Sequence, residues 1–265
     1  AEAEIEYKDI ESTSIFVSFI IKETELSLLK DTNIIIWTTT PWTIPGNRAI
    51  AYGKDIKYVQ FEVIESDKSN LKNLKYLVAE SLLDKVMTTC KISKYNIIKV
   101  VTGNDLKGTI CIHPFHKKGY EYDIPLIEAN FVEETDGTGF VHIAPSYGED
   151  DYYLAKENNI IIEDIVKDDG CYKEDTPIFS GIHVFKAHTF VIEELKKNNS
   201  LIGIKSYSHS YPHSWRSKKP IIFRTTPQWF ISMDQDNLRS KAMQSIKDTR
   251  WIPNNSRNRI SSMVE

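Results

Sequence analysis

Cysteine is scarce and unpatterned in this sequence. Cys90, Cys111 and Cys171 are three in number, widely spaced and without a CxxC pair, which argues against a disulfide framework or a zinc knuckle and for a reducing, cytoplasm-like compartment. No run of eighteen or more apolar residues occurs, so a membrane-spanning helix is not expected. Eleven Gly and ten Pro in 265 residues are ordinary contents, which excludes collagen-like and low-complexity classes. There is no G-x-G-x-x-G, Walker loop or HExxH. Ser146 follows Pro145 without the glycines of a nucleophile elbow, so a covalent serine hydrolase is not indicated. A basic excess is missing too. Lys and Arg number 33 against 37 Asp and Glu, a net charge of −4, which taken whole argues against a dedicated nucleic-acid binder. The chain opens on Ala1 with no Met and no leader pattern and stops at Glu265 without a terminating signal, so a piece of a longer protein is expected.

What is present is enough to build a core. A hydrophobic content of 41% over 265 residues fits one large domain, or a domain with an appendage. Ser14 to Ile21, Asn33 to Thr39, Lys57 to Ile64, Lys75 to Ala79, Ile97 to Thr102 and Gly139 to Ile143 are short runs rich in β-branched and aromatic residues between turn formers, and read as strands. Their uneven spacing suggests a barrel or sandwich rather than a βαβ sheet. Helical patterns come later, over Glu149 to Asn158, Ala187 to Asn198 and Asp236 to Lys247. Charge divides the chain as well. Residues 205–265 hold eleven Lys or Arg and four acids, +7, which leaves −11 on 1–204. A boundary near Asn198-Asn199-Ser200 follows, with an acidic, β-rich body at 1–204 and a basic segment at 205–265.

Three constellations carry candidate chemistry. Trp37-Thr38-Thr39-Thr40-Pro41-Trp42-Thr43-Ile44-Pro45-Gly46-Asn47 follows the apolar run Ile34-Ile35-Ile36. A strand entering a two-proline stretch must turn there, which gathers hydroxyls and indoles at one strand end. Stiff β-branched hydroxyls suit the wall of a small pocket, although Thr residues are also simply good strand formers. In Gly137 to Asp151 a glycine turn leads to a strand ending near His142, then a Pro/Gly loop and an acidic helix start. An imidazole and a carboxylate at one end of the fold suit water activation and capture of an ammonium group; the plainer reading is a core histidine and a helix-start charge, with Asp150 as the capping acid. His209 to Pro220 mixes imidazoles, aromatics and cations without an acid, a set that can contact phosphates and stack on bases or form a hairpin with a charged tip. Cys111, His113 and His116 lack a second ligand pair at metal-site spacing and read as a structural β-segment.

The peptides WTTTPWTIPGNRAI (37–50), GTGFVHIAPSYGEDDY (137–152) and YPHSWRSKKPIIFRTTPQWFISMD (211–234) with WIP (251–253) resemble, in order, the editing domain inserted in isoleucyl-tRNA synthetase, a class I aminoacyl-tRNA synthetase of bacterial or organellar type. A valyl relative would show Thr-Thr-Arg-Pro-Glu-Thr where this chain has Thr39-Thr40-Pro41-Trp42-Thr43. Ser146-Tyr147 and Ser214 depart from common family residues, Gly-His and Cys. The resemblance implies an α+β, mainly β fold: a closed six-stranded Greek-key-like β-barrel with peripheral helices at 1–204, and a basic return connector at 205–265 toward an aminoacylation domain. It implies hydrolysis, by water and without a metal, of valine misattached to tRNA(Ile), and leaves open whether valyl-adenylate is hydrolysed as well. A pocket that prefers isoleucine cannot reject the smaller valine strongly, a limit for which isoleucyl-tRNA synthetase is itself the standard illustration. By resemblance Thr38, Thr39, Thr40 and Trp42 set the size limit, Asp151 holds the α-ammonium, and His142 positions the terminal adenosine or the water. The partners implied are the tRNA 3′ end and the rest of a synthetase that uses ATP and Mg, in the cytoplasm, as a monomer and away from membranes. The alternatives are a tRNA or aminoacyl-adenosine binding module with little turnover, the editing domain of a valyl-tRNA synthetase relative, and a plain β-barrel interaction domain.

Overall fold

The apolar runs of this chain bury both of their faces, and that organises the fold. In the computed structural model, which describes residues 4–265, Ile15, Val17 and Phe19 of strand β1 (Ile5–Glu23) and Ile34 and Ile36 of β2 (Thr32–Thr38) point into one core, while Phe16 and Ile35 point into a second. Alternate side chains of a strand take opposite faces, so a run buried along its whole length needs a packed layer on each side. The first core is lined by a ring of strands and reaches beyond it to Val166, Tyr172, Phe179 and Leu195. The second lies under helix α1 (Leu83–Cys90), which contributes Leu83, Val86, Met87 and Cys90 to it.

The remaining strands are β3 (Ala49–Tyr52), β4 (Lys57–Ser66), β5 (Lys75–Ala79), β6 (Ile92–Thr102), β7 (Ile110–Ile112), β8 (Asp123–Glu128), β9 (Phe140–Ile143) and β10 (Leu201–Ser214). Six of them close a ring of pairings in the order β1-β7-β8-β3-β9-β2 and back to β1. Two of its seams are parallel, β3 with β8 and β2 with β9 at Trp37 opposite Val141. Outside the ring β5, β4 and β6 extend the sheet from β2, and β10 runs antiparallel along β1 from Ile5 opposite Ser214 to Val17 opposite Leu201. The protein is thus mixed, with β-sheet predominant. Helix α2 (Glu149–Glu157) follows β9 directly, and α3 (Val184–Lys197) buries Val184, Ala187, Val191 and Leu195 along one stripe.

The chain separates into two compact units at Thr225 and Thr226. The strand that crosses residue 204 is β10, and it pairs with β1 up to Ser214. A tight turn follows, in which the Ser214 amide donates to the Lys219 carbonyl at 2.9 Å and His213 bridges to Pro220, so the segment His209 to Pro220 takes the hairpin form. The second unit, Thr226–Glu265, contains α4 (Leu238–Asp248) and α5 (Ser256–Val264). Arg239 on α4 donates to the Glu265 carbonyl at 2.8 Å, and the Trp251 indole donates to the Ile246 carbonyl at 2.8 Å. Among the described residues no helix is long and apolar enough to cross a membrane.

Candidate functional site

β2 ends because its next residues cannot continue a ladder. The Thr40 amide turns back to the Thr38 hydroxyl at 3.0 Å, and Pro41 opens a buried 3-10 turn, Pro41–Gly46, whose first position suits a residue without an N–H. The parallel pairing of Trp37 with Val141 brings the end of β9 alongside. Gly139 lets the turn before β9 close against the end of β5: it sits at φ +76°, and a Cβ there would lie 2.4 Å from the Ala79 side chain.

Between these strand ends lies a cavity of about 330 Å³. Its wall includes Trp37, Thr38, Thr39, Phe131 and His142, and Glu133 and Asp136 place carboxylates on it. For Asp136, burial pushes the carboxyl pKa up, but the Lys85 ammonium and hydrogen bonds from Gly137 and Tyr207 outweigh it and hold the net value below normal. Thr40, Trp42 and Asp151 are not among the lining residues. Trp42 lies in the core, with its ring edge-on to Tyr147 at 5.1 Å and its carbonyl accepting from the Tyr172 hydroxyl at 2.5 Å. Tyr147, one of the two departures beside His142, also points inward. Its hydroxyl donates to Asp164 at 3.1 Å and accepts from the Ile165 amide at 2.9 Å.

His142 is buried, and both ring nitrogens are engaged. Asn47 Nδ2 donates to Nδ1 at 2.6 Å, and Nε2 lies 3.0 Å from the Thr43 hydroxyl. The same Asn47 amide faces the carbonyls of Ala49 at 2.9 Å and Ile143 at 3.3 Å, so it must present its NH₂ to that side. Nδ1 is then an acceptor and the proton sits on Nε2, which donates to Thr43. The Thr43 hydroxyl passes the chain on to the Thr40 carbonyl at 2.8 Å. Burial pushes the imidazole pKa down to about 3, so the ring is neutral at physiological pH. It ties the Thr-rich turn to β9 through Thr43 and Asn47.

Asp151 stands in the first turn of α2. Burial raises its carboxyl pKa to about 6, against the lowering effect of the Ala144 amide, which donates to Oδ2 at 2.7 Å. Among the described residues Oδ1 has no hydrogen-bond partner. The expectation that Asp150 caps the helix is corrected: Gly148 is the cap residue, no side chain caps it, and Asp150 is exposed. The Cys111–His116 segment is structural, with His113 buried, its Nε2 donating to the Ile44 carbonyl at 3.0 Å and its Nδ1 accepting from the Phe115 amide. Among the described residues no three His, Cys, Asp or Glu side chains gather as a metal site would need. Thr43 and Asn47 went unassigned in the sequence. Both lie in the Thr-rich peptide, but nothing in one dimension marks them as partners of His142.

These features define a class. The family model described as tRNA synthetases class I (I, L, M and V) matches residues 1–265, and the chain belongs to that family. The isoleucine–tRNA ligase of Pelagibacter ubique (strain HTCC1062) is 48% identical over 265 residues, which are 100% of this chain and 29% of that protein. The isoleucine–tRNA ligase of Gluconobacter oxydans (strain 621H) is 45% identical over 281 residues, again 100% of this chain and 29% of the relative. The chain therefore spans under a third of the relatives it matches. In fold it is similar to the editing domain of the cytosolic leucyl-tRNA synthetase of P. falciparum, at TM-score 0.57 and 10% identity, covering 73% of this chain and 99% of that one. The crystal structure of GlLeuRS-CP1 is similar in fold as well, at TM-score 0.55 and 14% identity, covering 72% of this chain and 98% of that one.

Proposed function

We propose that the chain is the editing domain of an isoleucine–tRNA ligase, built on a six-stranded Greek-key β-barrel, and that it hydrolyses valine misattached to tRNA(Ile). The observation that carries this reading is the small cavity at the joined ends of β2 and β9, walled by Thr38 and Thr39 and held in shape by the neutral His142. A stiff wall admits a smaller side chain and stops a larger one by overlap, which complements a synthetic site that cannot reject the smaller one. Thr40 supports the wall through the carbonyl that receives the Thr43 hydroxyl, and Trp42 fixes the turn from within the core.

In the proposed reaction a water oxygen attacks the ester carbonyl carbon, the carbonyl–ribose oxygen bond breaks, and the ribose oxygen takes a proton. Asp151 lies outside the cavity lining, in the first turn of α2 on the loop that leaves His142, and in this proposal its Oδ1 holds the α-ammonium, since Oδ2 is occupied by the Ala144 amide. His142 has no free nitrogen for the water; it keeps the cavity wall and β9 in register. The proposed partners are the 3′ end of tRNA(Ile) and the remainder of the ligase, acting in the cytoplasm. Editing as written uses no cofactor. The test is Asp151→Ala, which should abolish hydrolysis of valyl-tRNA(Ile). Full activity in that variant would remove Asp151 from the reaction.

A further inference from the structure

The cavity has an approach. Trp37 on its wall meets Tyr207 of β10 edge-on, with ring centroids 5.0 Å apart. From Tyr207 the rings continue along the strand at every second residue: His209 at 5.8 Å, Tyr211 at a further 5.8 Å and His213 at 6.0 Å. Residues i and i+2 share one face of a strand, so this is a single-sided ladder that runs about 13 Å from Tyr207 to Tyr211 at roughly 3.3 Å per residue. The ring edges are anchored by their polar tips: Tyr207 donates to Asp136 at 3.2 Å, His209 Nε2 lies 2.9 Å from the Ser12 hydroxyl, and Tyr211 donates to the Ile221 carbonyl at 3.0 Å. Tyr207, His209 and Tyr211 are all half-buried. Rings pinned in this way offer π surface that costs little ordering when something stacks on it.

The two faces of the β1–β10 ribbon differ in charge. On the ladder face Tyr207, His209 and Tyr211 stand opposite Ser12, Ile10 and Lys8 of β1. Asp136 meets this face at the near end, where Tyr207 and Lys85 pair it, and Glu6 at the far end, opposite His213 and paired with Lys218. On the reverse face Ser206, Ser208 and Ser210 stand opposite Thr13, Glu11 and Asp9, a surface whose acids repel phosphate and whose one exposed ring in this stretch, Tyr7 opposite Pro212, stands alone at the far end rather than in a ladder. We infer that the ladder face of the ribbon is a stacking track for single-stranded RNA, on which the bases of a 3′ end lie as it reaches the cavity at Trp37. This rests on the proposal that the substrate arrives on a tRNA. Every base has a π face and aromatic platforms accept any of them, so such a track holds a strand without reading its sequence.

The test uses the full chain and a fluorescein-labelled single-stranded RNA of the tRNA 3′-terminal sequence, with affinity read by anisotropy. Tyr207→Leu and His209→Leu should each weaken binding by roughly 5- to 100-fold, the range for losing one base–aromatic stack. The loss should be the same at low and high salt, because stacking releases no counterions. Ser208→Ala and Ser210→Ala on the reverse face should leave affinity unchanged, and His209→Phe should restore it. Folded Leu variants that bind as the parent does would overturn the track. Should those variants not fold, the unaltered chain crosslinked to the same RNA carrying 4-thiouridine decides: adducts between residues 205 and 211 are expected, and adducts confined to other segments overturn it. A small valyl ester of adenosine separates this from the function proposed above. The unaltered chain should hydrolyse it, whereas absence of hydrolysis would remove the editing reading and leave the RNA affinities to judge the track.

Discussion

Asp151→Asn should make the protein more stable and less active, and the gain should depend on pH in a defined direction. Burial raises the Asp151 pKa from 3.8 to about 6. Between those values the folded chain keeps a proton that the unfolded chain has released, so stability falls as pH rises through the window. Below it both states are protonated and nothing is lost. Above it the full cost remains, about 3 kcal/mol for roughly two units at 1.36 kcal/mol each. Asparagine keeps an oxygen for the Ala144 amide and carries no charge, so it escapes that cost. For a compact unit of this size the gain corresponds to about 6–12 °C in melting temperature at pH 8, shrinking toward zero near pH 4. Thermal unfolding followed by near-UV circular dichroism across that pH range measures it. The same substitution removes the negative charge that would hold an α-ammonium, so deacylation should fall as stability rises. A difference between the two proteins that is the same at pH 4.5 and pH 8, or an Asn variant less stable at pH 8, would refute the assignment of a buried, penalised carboxylate.

Three further outcomes follow from the same geometry. The His142 ring resonances should not titrate between pH 5 and 8 in NMR spectra, since burial holds the pKa down to about 3; a titration near 6.5 would contradict a ring bonded on both sides by Thr43 and Asn47. Thr39→Ala should widen the cavity wall and let isoleucyl-tRNA be hydrolysed, and an unchanged substrate profile would place the wall elsewhere. Tyr172→Phe leaves the buried Trp42 carbonyl without its donor and should cost about 1–3 kcal/mol in urea unfolding. A loss of under 0.5 kcal/mol would mean that carbonyl finds another partner.

Legibility in the sequence tracked how local each feature is. Ser14–Ile21, Lys57–Ile64 and Lys75–Ala79 announced β1, β4 and β5 because long β-branched runs with turn formers at their ends have few other uses. β3 is only Ala49–Tyr52 and hid inside the Thr-rich motif, and β8 carries Pro125, which breaks the strand signal. β10 is Ser-, His- and Tyr-rich and read as a basic segment; its pairing with β1 joins residues some two hundred positions apart, beyond the reach of any window. α1 has the poor helix formers Thr88, Thr89 and Cys90 and forms because Val86 and Met87 cover the outer core. In the site, Thr38, Thr39 and His142 were recognisable by motif and do meet at one cavity. The bonds of Thr43 and Asn47 to His142 exist only once β9 lies beside the turn.

The most direct comparison is ester loss from valyl-tRNA(Ile) and isoleucyl-tRNA(Ile) incubated in parallel with this chain. The valyl ester should be hydrolysed and the isoleucyl ester spared. Equal loss of both, or loss of neither, would contradict a size-limited editing cavity between β2 and β9.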